Sequence, residues 1–356
     1  MLTHLPLPVL LGIFVASGVV IWFAGIQLSK TTDVLDDKLH LGNALGGLIV
    51  LAVATNLPEI AITVTAAASG QIEVAVGNIL GGIALQTVVI VVLDVFGKRK
   101  HGAPPITYRA ASLTLVIEAI VVAAVLAVVV AGTQLPKQAD LLRVTPQALL
   151  IVVLWVVGLL LVRRAGTRLP WHGNGTAPDA SPHPSGHRNR RASAPKKTHP
   201  STGRTVVVFA VAALLTLVAG YAAEQSGTAA ASQVGVSGVL FGATVLALAT
   251  SLPEISTGLQ AVRQGDENLA ISDIFGGNAF LPVLFLIAGL ISGKAVLPVA
   301  QASDIYLTAI AILLSIVYAV GLLFRPRTRV LGMGVDSLTV LVLYLVGVAG
   351  LFGIAK

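Results

Sequence analysis

The stretch "LAVATNLPEIAIT" (residues 51–63) places a proline and a glutamate side by side inside a long apolar run. A similar stretch, "LALATSLPEIST" (residues 246–257), follows 195 positions later. A carboxylate near the centre of a membrane is costly, so such a residue usually faces a polar cavity and marks an ion or proton pathway. The two stretches therefore single out Glu59 and Glu254.

The composition around these stretches is that of a membrane protein. Of the 356 residues, 55% are hydrophobic and only 11% are charged, and the mean hydropathy is +0.90. Soluble domains carry roughly 25% charged residues. Several apolar runs exceed the roughly 20 residues that cross a bilayer. The sequence contains no cysteine, which excludes disulfides and thiol chemistry.

The apolar runs predict an all-α polytopic membrane protein with ten transmembrane helices. The predicted spans are residues 7–29, 42–69, 72–97, 108–132, 146–163, 205–223, 236–262, 268–292, 299–324 and 334–354. They form two five-helix halves, residues 1–163 and 205–356. The connecting segment, residues 164–204, is rich in Pro, Gly, Ser, His and Arg, and this composition predicts a flexible basic linker.

The basic residues predict the orientation of the chain. The net charge is +7, but nine of the 23 Lys and Arg lie between Arg163 and Arg204, between two spans. This location indicates a topology anchor beside lipid headgroups, and no nucleic-acid partner is expected. With the linker in the cytoplasm, 19 basic residues lie on that side and 4 outside. Both termini then face outward, the two halves are inverted, and the plasma (inner) membrane is the expected location.

An internal repeat extends beyond the two quoted stretches. Residues 47–82 and 242–277 align without a gap at the offset of 195. The shared pattern is A-T-x-L-P-E-I, then Gly eleven residues after the glutamate, then I-x-G-G. Both copies fall on the second and third predicted helices of their half. Inverted repeats of this kind form substrate sites near the bilayer midplane.

The repeated motif carries the chemistry of a cation site. Pro58 and Pro253 each remove a backbone N–H, which leaves carbonyl groups around residues 54–55 and 249–250 free. A carboxylate and free carbonyls within one turn are hard oxygen ligands, which suit Na⁺ or Ca²⁺. The alternative is that the prolines only kink the helices and the glutamates bond to nearby Ser or Thr. Two related copies argue against that alternative.

At these residues the chain resembles the cation/calcium antiporter superfamily, the sodium/calcium exchangers and their prokaryotic relatives. The matching elements are "GLIVLAVATNLPEIAITVTAAASGQIEVAVGNILGG" (residues 47–82) and "GATVLALATSLPEISTGLQAVRQGDENLAISDIFGGNAF" (residues 242–280). The resemblance implies alternating access, in which paired glutamates bind Ca²⁺ in competition with Na⁺ or H⁺ and the outermost helix of each half slides. The family's glutamates fall on Glu59 and Glu254.

The resemblance also assigns neighbouring positions, with departures. Its Thr-Ser pairs fall on Thr55 and Asn56 and on Thr250 and Ser251. Exchangers commonly read G-N-x-x-G-S-N-x-x-N in the following helix, whereas this chain has "GNILGGIALQ" (residues 77–86) and "SDIFGGNAFL" (residues 272–281). The serines have become glycines, and the last polar position of the second copy is leucine. The candidate cation ligands are Glu59, Glu254, Thr55, Thr250, Asn56, Ser251, Asp273, Asn78, Gln86 and Asn278.

Asp273 stands where the first repeat has Asn78, and it adds a third carboxylate to the predicted site. Three carboxylates and one Ca²⁺ leave a net negative charge in a low dielectric, so one group tends to hold a proton. Proton coupling is therefore plausible, and a three-sodium stoichiometry loses support. Glu118, in the fourth span, either lines a proton path or is a neutral acid bonded to a neighbouring helix.

The sequence thus predicts a secondary-active cation antiporter that exchanges Ca²⁺, or another hard cation, for Na⁺ or H⁺. Alternatives are a cation channel, because acidic residues also form cation filters, and an exchanger for a different cation coupled to H⁺. A membrane hydrolase lacks a metal-binding His pair or a Ser/Lys arrangement, so no enzyme activity is expected. The expected partners are transported inorganic cations and the lipid bilayer; no cofactor and no protein partner are expected.

Overall fold

The computed structural model describes residues 4–39, 50–97, 102–110, 112–134, 144–165, 202–235, 245 and 247–354. The helices of the first half are α1 (Leu7–Leu39), α2 (Ala52–Thr55), α3 (Leu57–Ala68), α4 (Ile72–Phe96), α5 (Ile106–Ala110), α6 (Leu113–Thr133) and α7 (Pro146–Ala165). Those of the second half are α8 (Thr202–Gln233), α9 (Ala247–Thr250), α10 (Leu252–Gln264), α11 (Glu267–Phe280), α12 (Leu284–Ser292), α13 (Ala302–Phe324) and α14 (Val335–Ile354). Strands β1 (Arg329–Val330) and β2 (Met333–Gly334) form an antiparallel hairpin between α13 and α14.

Seven helical segments within these ranges are long and apolar enough to cross a membrane: α1, α4, α6, α7, α8, α11 with α12, and α13. Two further apolar helices, α3 and α14, are shorter. Predicted spans 42–69 and 236–262 correspond in part to α2–α3 and α9–α10. Residues 42–49, 236–244 and 246 of those spans lie outside the described chain.

Several predicted boundaries were wrong. The span predicted at 108–132 is two helices, α5 and α6, because the Ser112 hydroxyl accepts a hydrogen bond from Thr114 N and starts a new helix. The span predicted at 268–292 contains a 3₁₀ turn at Leu281–Val283, where Pro282 cannot donate a backbone hydrogen bond. The helix predicted at 205–223 runs from Thr202 to Gln233.

The linker predicted at 164–204 also had boundaries that were too wide. Residues 164 and 165 belong to α7, and residues 202–204 belong to α8. The remaining linker residues, 166–201, lie outside the described chain, so its predicted flexibility stays a prediction.

Helices α4 and α11 occupy the centre of the molecule. The most apolar stretch of α4 is 72% buried and that of α11 with α12 is 67% buried, against 22% for α7 and 28% for α1 and for α8. The peripheral helices expose large apolar side chains such as Phe23, Leu160 and Leu214. Apolar outer faces around a buried polar centre are the arrangement that a protein in lipid requires.

Each LPE motif lies where a helix is interrupted. Helix α2 ends at Thr55 and α3 begins at Leu57, with Asn56 between them. Helix α9 ends at Thr250 and α10 begins at Leu252, with Ser251 between them. Pro58 and Pro253 occupy the second positions of α3 and α10, where their missing N–H groups are tolerated. Since neither proline can donate, the carbonyls four residues before them lack the usual helical donor.

Two glycines that are 195 positions apart pack against these interruptions in a crossed arrangement. Gly25 of α1 lies on α10 of the second half, and a Cβ there would be 1.8 Å from Ser256 Oγ and 3.2 Å from Pro253 O. Gly220 of α8 lies on α3 of the first half, and a Cβ there would be 2.5 Å from Pro58 Cβ and Cγ. Only glycine allows α1 and α8 to approach this closely.

A buried polar cluster ties the C-terminal hairpin to the first half. Asp94, at the end of α4, is fully buried and accepts hydrogen bonds from Ile106 N at 2.8 Å and Gly334 N at 2.6 Å. Arg329 of β1 donates to the backbone oxygen of Asp94 at 3.0 Å and lies 3.4 Å from its carboxylate. The cluster joins parts of the chain that are more than 200 residues apart.

Further arginines collect at the same end of the molecule. Arg325 and Arg327 stack on the ring of Tyr108, with centroid distances of 4.8 and 5.0 Å, and both donate hydrogen bonds to that tyrosine. Arg109 pairs with Glu267 at 2.5 Å. These arginines belong to the set predicted to face the cytoplasm, and we call this end the arginine face.

Candidate cation-binding site

The two repeated glutamates lie in the protein interior. Glu59 in the first turn of α3 is 2% exposed, and Glu254 in the first turn of α10 is 1% exposed. The two carboxylates are near enough for mutual repulsion, and the Thr250 hydroxyl lies beside Glu59. The interrupted helices therefore bring both motifs to one buried region.

Asp273 of α11 is the third carboxylate of this region, and it is 1% exposed. Its two oxygens accept hydrogen bonds from Thr55 Oγ1 at 3.2 Å and Thr257 Oγ1 at 2.8 Å. Glu254 lies within repulsive range of Asp273 as well. Because Thr55 belongs to the first half and Thr257 to the second, Asp273 connects the two repeats.

Gln86 of α4 links the first motif to the second. Its side-chain nitrogen donates to Asn56 Oδ1 at 3.0 Å and to Glu254 Oε1 at 3.3 Å. Asn56 in turn donates to Ala52 O at 2.7 Å. Each of these amides therefore has its N–H₂ group engaged by neighbouring oxygens.

The side-chain amide of Asn278, on α11, points its nitrogen at a protein oxygen, as the amides of Gln86 and Asn56 do. Its side-chain nitrogen donates to Thr87 Oγ1 at 2.9 Å, and Thr87 donates to Ile83 O at 3.0 Å. The amide oxygen of Asn278 is left without a protein partner.

Most unpaired buried atoms of the predicted site residues are oxygens. They are Glu59 Oε2, Glu254 Oε2, Gln86 Oε1, Asn278 Oδ1 and Ser251 Oγ; the exception is Asn78 Nδ2. A buried oxygen without a partner costs about 1–3 kcal/mol. A cation, or water accompanying one, supplies the partner that such oxygens lack.

The two glycines that replace the family's serines differ in their surroundings. A Cβ at Gly277 would be 2.6 Å from Asn56 Nδ2, so the longer Asn56 side chain fills the space above Gly277. Gly82, its repeat counterpart, has no heavy atom within 4 Å of a Cβ position. At the position that Asn56 has in the first repeat, the second repeat has the shorter Ser251. The interior is therefore filled on one side and open on the other.

Nine of the ten predicted ligands are buried, and seven of them are joined to one another by hydrogen bonds or electrostatic proximity, while Asn278 bonds to Thr87. Ser251 is fully buried with a free hydroxyl oxygen. Asn78 is only partly buried, and its amide nitrogen is unpaired. The sequence interpretation missed Thr257 and Thr87. Thr257 carried a signal, since it lies one helical turn after Glu254 on the same face.

The carboxylates alone do not make a compact metal centre. Across the part of the chain that the structure describes, no three acidic or histidine side chains converge as a metal-binding group. Coordination of a cation therefore needs the amide, hydroxyl and carbonyl oxygens around them. A mixed set of oxygens is typical of Ca²⁺ and Na⁺ sites and unsuited to soft metals.

The long apolar helices and apolar outer faces are those of an integral membrane protein. The family model for sodium/calcium exchanger proteins matches residues 9–170 and 204–353, and the chain belongs to that family. The family's members carry inorganic cations, which supports a cation antiporter.

Relatives and a solved structure agree with this assignment. The inner membrane protein YrbG of Escherichia coli is 28% identical over 297 residues, covering 82% of this chain and 81% of that protein. CaxA of Alkalimonas amylolytica, which is named as an antiporter, is 25% identical over 292 residues, covering 82% and 83%. The sodium-calcium exchanger NCX_Mj superposes with a TM-score of 0.66 at 15% identity, covering 97% of this chain and 99% of that one, a likeness of fold.

Proposed function

We propose that the protein is a secondary-active antiporter that exchanges Ca²⁺, or another hard cation, for Na⁺ or H⁺. The cation binds among Glu59, Glu254 and Asp273, with further oxygens from the residues predicted as ligands. The observation that carries the proposal is the pair of repeated glutamates, buried in one region with an unpaired oxygen each. Two carboxylates that are buried in a protein interior without a neutralising partner need a bound cation or protons.

The surroundings of the pair support this reading. Two ion pairs, Arg109 with Glu267 and Arg329 with Asp94, lie at the arginine face. Among the described residues, the hydrogen bonds to Asp273 and Glu254 come from Thr55, Thr257 and Gln86, none of which is basic. Their negative charge is therefore available to a mobile cation.

We infer that ten helices form two inverted five-helix repeats. Helix α10 leads into α11, whose first residue, Glu267, pairs with Arg109 at the arginine face. Helix α3 leads into the start of α4, and α4 runs about 33 Å at 1.5 Å per residue before Asp94 reaches the arginine face. The equivalent helices α3 and α10 thus lead to opposite ends, as inversion requires.

Alternating access would expose the buried pair to each side in turn. The peripheral helices α1 and α8 cross α10 and α3 at Gly25 and Gly220, next to the two LPE motifs. Movement of either helix would therefore act directly on the turns that carry the glutamates. The arginine face would lie in the cytoplasm, both termini would lie outside, and the membrane would be the inner one.

The test is transport by purified protein in liposomes. Uptake of radioactive Ca²⁺ is followed under an imposed Na⁺ gradient, an imposed pH gradient and neither, and Ca²⁺/Ca²⁺ exchange is followed without a gradient. Wild type is expected to take up Ca²⁺ under one gradient and to exchange Ca²⁺. Glu59→Gln and Glu254→Gln are expected to lose both activities, because each removes a charge that holds the cation.

Glu73→Gln is the control, since Glu73 lies in the first turn of α4, outside the predicted ligand set. Wild-type protein that shows neither gradient-driven uptake nor Ca²⁺/Ca²⁺ exchange refutes calcium as the substrate. Glutamine variants that transport as wild type refute the site. A Ca²⁺ current that needs no counter-ion gradient favours the channel alternative.

A further inference from the structure

Glu118 is a buried carboxyl group outside the candidate cation site. It lies on α6, is 2% exposed, and accepts a hydrogen bond from Ser272 Oγ at 3.2 Å through Oε1. Its other oxygen, Oε2, has no partner. An unpaired buried carboxylate is costly, so this group needs either a bound species or a proton.

A small cavity between α6, α7 and α11 lies against this carboxyl group. Its other lining residues are apolar and include Val121, Trp155, Leu159 and Phe275. None of these side chains carries an oxygen. The cavity has a volume of about 10 Å³, which is at the lower limit for one water molecule.

The residues that line the cavity determine which species the Glu118 carboxyl group can bind. Ca²⁺ takes about six to eight oxygen ligands, and Na⁺ also needs a shell of oxygens. Here the Glu118 carboxyl and the Ser272 hydroxyl are the available side-chain oxygens. A proton, delivered by water to Oε2, needs no further ligand. The apolar wall also stabilises the neutral acid over the carboxylate.

The position of Glu118 along α6 indicates the side of the protein from which water reaches its carboxyl group. Glu118 is the sixth residue of α6 and Ser272 the sixth of α11, each about 7–8 Å from its helix start at 1.5 Å per residue. Both starts lie at the arginine face, where Arg109 pairs with Glu267. Helix α7 ends at the same face, three residues after Val162 of the cavity wall.

Charged and titratable groups on the packed elements do not line this cavity. On α7 they are Arg163 and Arg164; on α11 they are Glu267 and Asp273; on α13 they are Asp304, Tyr306 and Tyr318. The 3₁₀ turns Leu281–Val283 and Leu297–Val299 carry none. Glu118 is therefore the titratable group of the cavity.

Helix α11 connects this cavity with the cation site. Ser272 turns toward Glu118, and the next residue, Asp273, turns toward Thr55 and Thr257. Binding of a proton changes Glu118 from an acceptor of the Ser272 hydrogen bond to a group that also donates. The same helix thus contacts Glu118 on one face and the candidate cation site on the other.

We propose that Glu118 is a proton-binding group of the transport cycle, reached by water from the arginine face, and that H⁺ is the counter-ion. This inference rests on the proposed antiport function. In the cycle, Oε2 takes a proton from hydronium in the cavity, so that one O–H bond forms on the carboxyl group as one breaks on hydronium and H₂O is left, and the reverse step returns the proton to water at a later stage.

The experiment compares two activities of the same liposomes. Glu118→Gln is expected to reduce Ca²⁺ uptake driven by a pH gradient by at least about tenfold, since coupling between sites typically amounts to 5–150-fold. Its Ca²⁺/Ca²⁺ exchange, which moves no net proton, is expected to stay within about twofold of wild type. Glu224→Gln on α8, the same change in another membrane helix, is expected to alter neither activity.

Two results overturn the inference while leaving calcium antiport intact. One is Glu118→Gln protein that retains wild-type uptake under a pH gradient. The other is wild-type protein that exchanges Ca²⁺ and responds to a Na⁺ gradient but not to a pH gradient. Absence of both gradient-driven Ca²⁺ uptake and Ca²⁺/Ca²⁺ exchange in wild type instead removes the proposed function, and this inference with it.

Infrared spectroscopy gives a second measurement that does not depend on transport. The carboxylic C=O band of protonated Glu118 is obtained by subtracting the spectrum of Glu118→Gln from the spectrum of wild type. If the glutamine variant loses Ca²⁺ exchange, the spectrum of Glu118→Asp is subtracted instead. The band is expected to disappear over the pH range in which proton-driven uptake falls. A band that stays constant over that range overturns the inference.

Discussion

The close contact at Gly220 makes substitution by alanine a quantitative test of the packing beside the candidate site. The new Cβ would lie 2.5 Å from Pro58 Cβ and Cγ, and a proline ring cannot rotate away. Overpacking costs about 1–3 kcal/mol, while Ala gains roughly 0.5–1 kcal/mol over Gly in a helix. We expect a net loss of about 1–2 kcal/mol in unfolding free energy, together with slower transport because Pro58 precedes Glu59.

Gly25→Ala is expected to be milder, although its clash is shorter. The atom at 1.8 Å is Ser256 Oγ, which can rotate; the remaining contacts are at 3.2 Å. Rotation sacrifices the hydrogen bond from Ser256 to Pro253 O, worth about 0.5–1.5 kcal/mol. Ser256→Ala removes the same hydrogen bond and the atom that clashes, so adding Gly25→Ala to Ser256→Ala is expected to cost little beyond Ser256→Ala alone.

Matched controls lie on the same two helices. Gly12 of α1 and Gly203 of α8 have no heavy atom within 4 Å of a Cβ position, so their alanine variants are expected to be as stable as wild type or slightly more stable. Unfolding in detergent and Ca²⁺ exchange in liposomes measure all variants. If Gly220→Ala matches Gly203→Ala in both assays, the close packing of α8 on α3 is refuted.

Two further predictions concern contacts between the halves. Gly277→Ser is expected to lower Ca²⁺ exchange because its Cβ would lie 2.6 Å from Asn56 Nδ2. Adding Asn56→Ser is expected to restore the exchange. If the double variant exchanges Ca²⁺ no better than Gly277→Ser alone, the steric explanation is refuted. Asp94→Ala is expected to destabilise the protein by about 3–5 kcal/mol, because it leaves buried donors unpaired. Arg329→Ala is expected to lower the unfolding free energy by less than Asp94→Ala does, since Asp94 keeps its two backbone donors. Detergent unfolding that shows a larger loss of stability for Arg329→Ala contradicts this.

The sequence predicted the parts of the fold that depend on local pattern. Long apolar runs predicted the helical membrane architecture, and the repeated LPE motif predicted two equivalent buried glutamates. The family resemblance is confirmed. Orientation, the ten-helix inverted repeat and the ligand set stay predictions, because the comparisons establish the family and the fold without assigning them.

The contacts that the sequence did not predict join distant segments. Nothing in the pattern around Gly25 indicated that it packs against Ser256, and nothing around Tyr108 indicated Arg325 and Arg327. Such pairs have no spacing rule, since their separation is fixed by tertiary packing rather than by helical periodicity. Glu118 was found from the sequence, but its partner Ser272 was not.

The dependence of Asp94 on the C-terminal hairpin has a consequence for biogenesis. Helix α4 enters the membrane while Arg329 and Gly334, 235 and 240 positions later, have not yet been synthesised. Until the hairpin arrives, the Asp94 carboxylate lacks two of its three partners and stays in contact with water or headgroups. Final seating of α4 therefore waits for the synthesis of residues 329–334. A chain truncated before residue 329 would present this unsatisfied helix end to the quality-control proteases of the membrane.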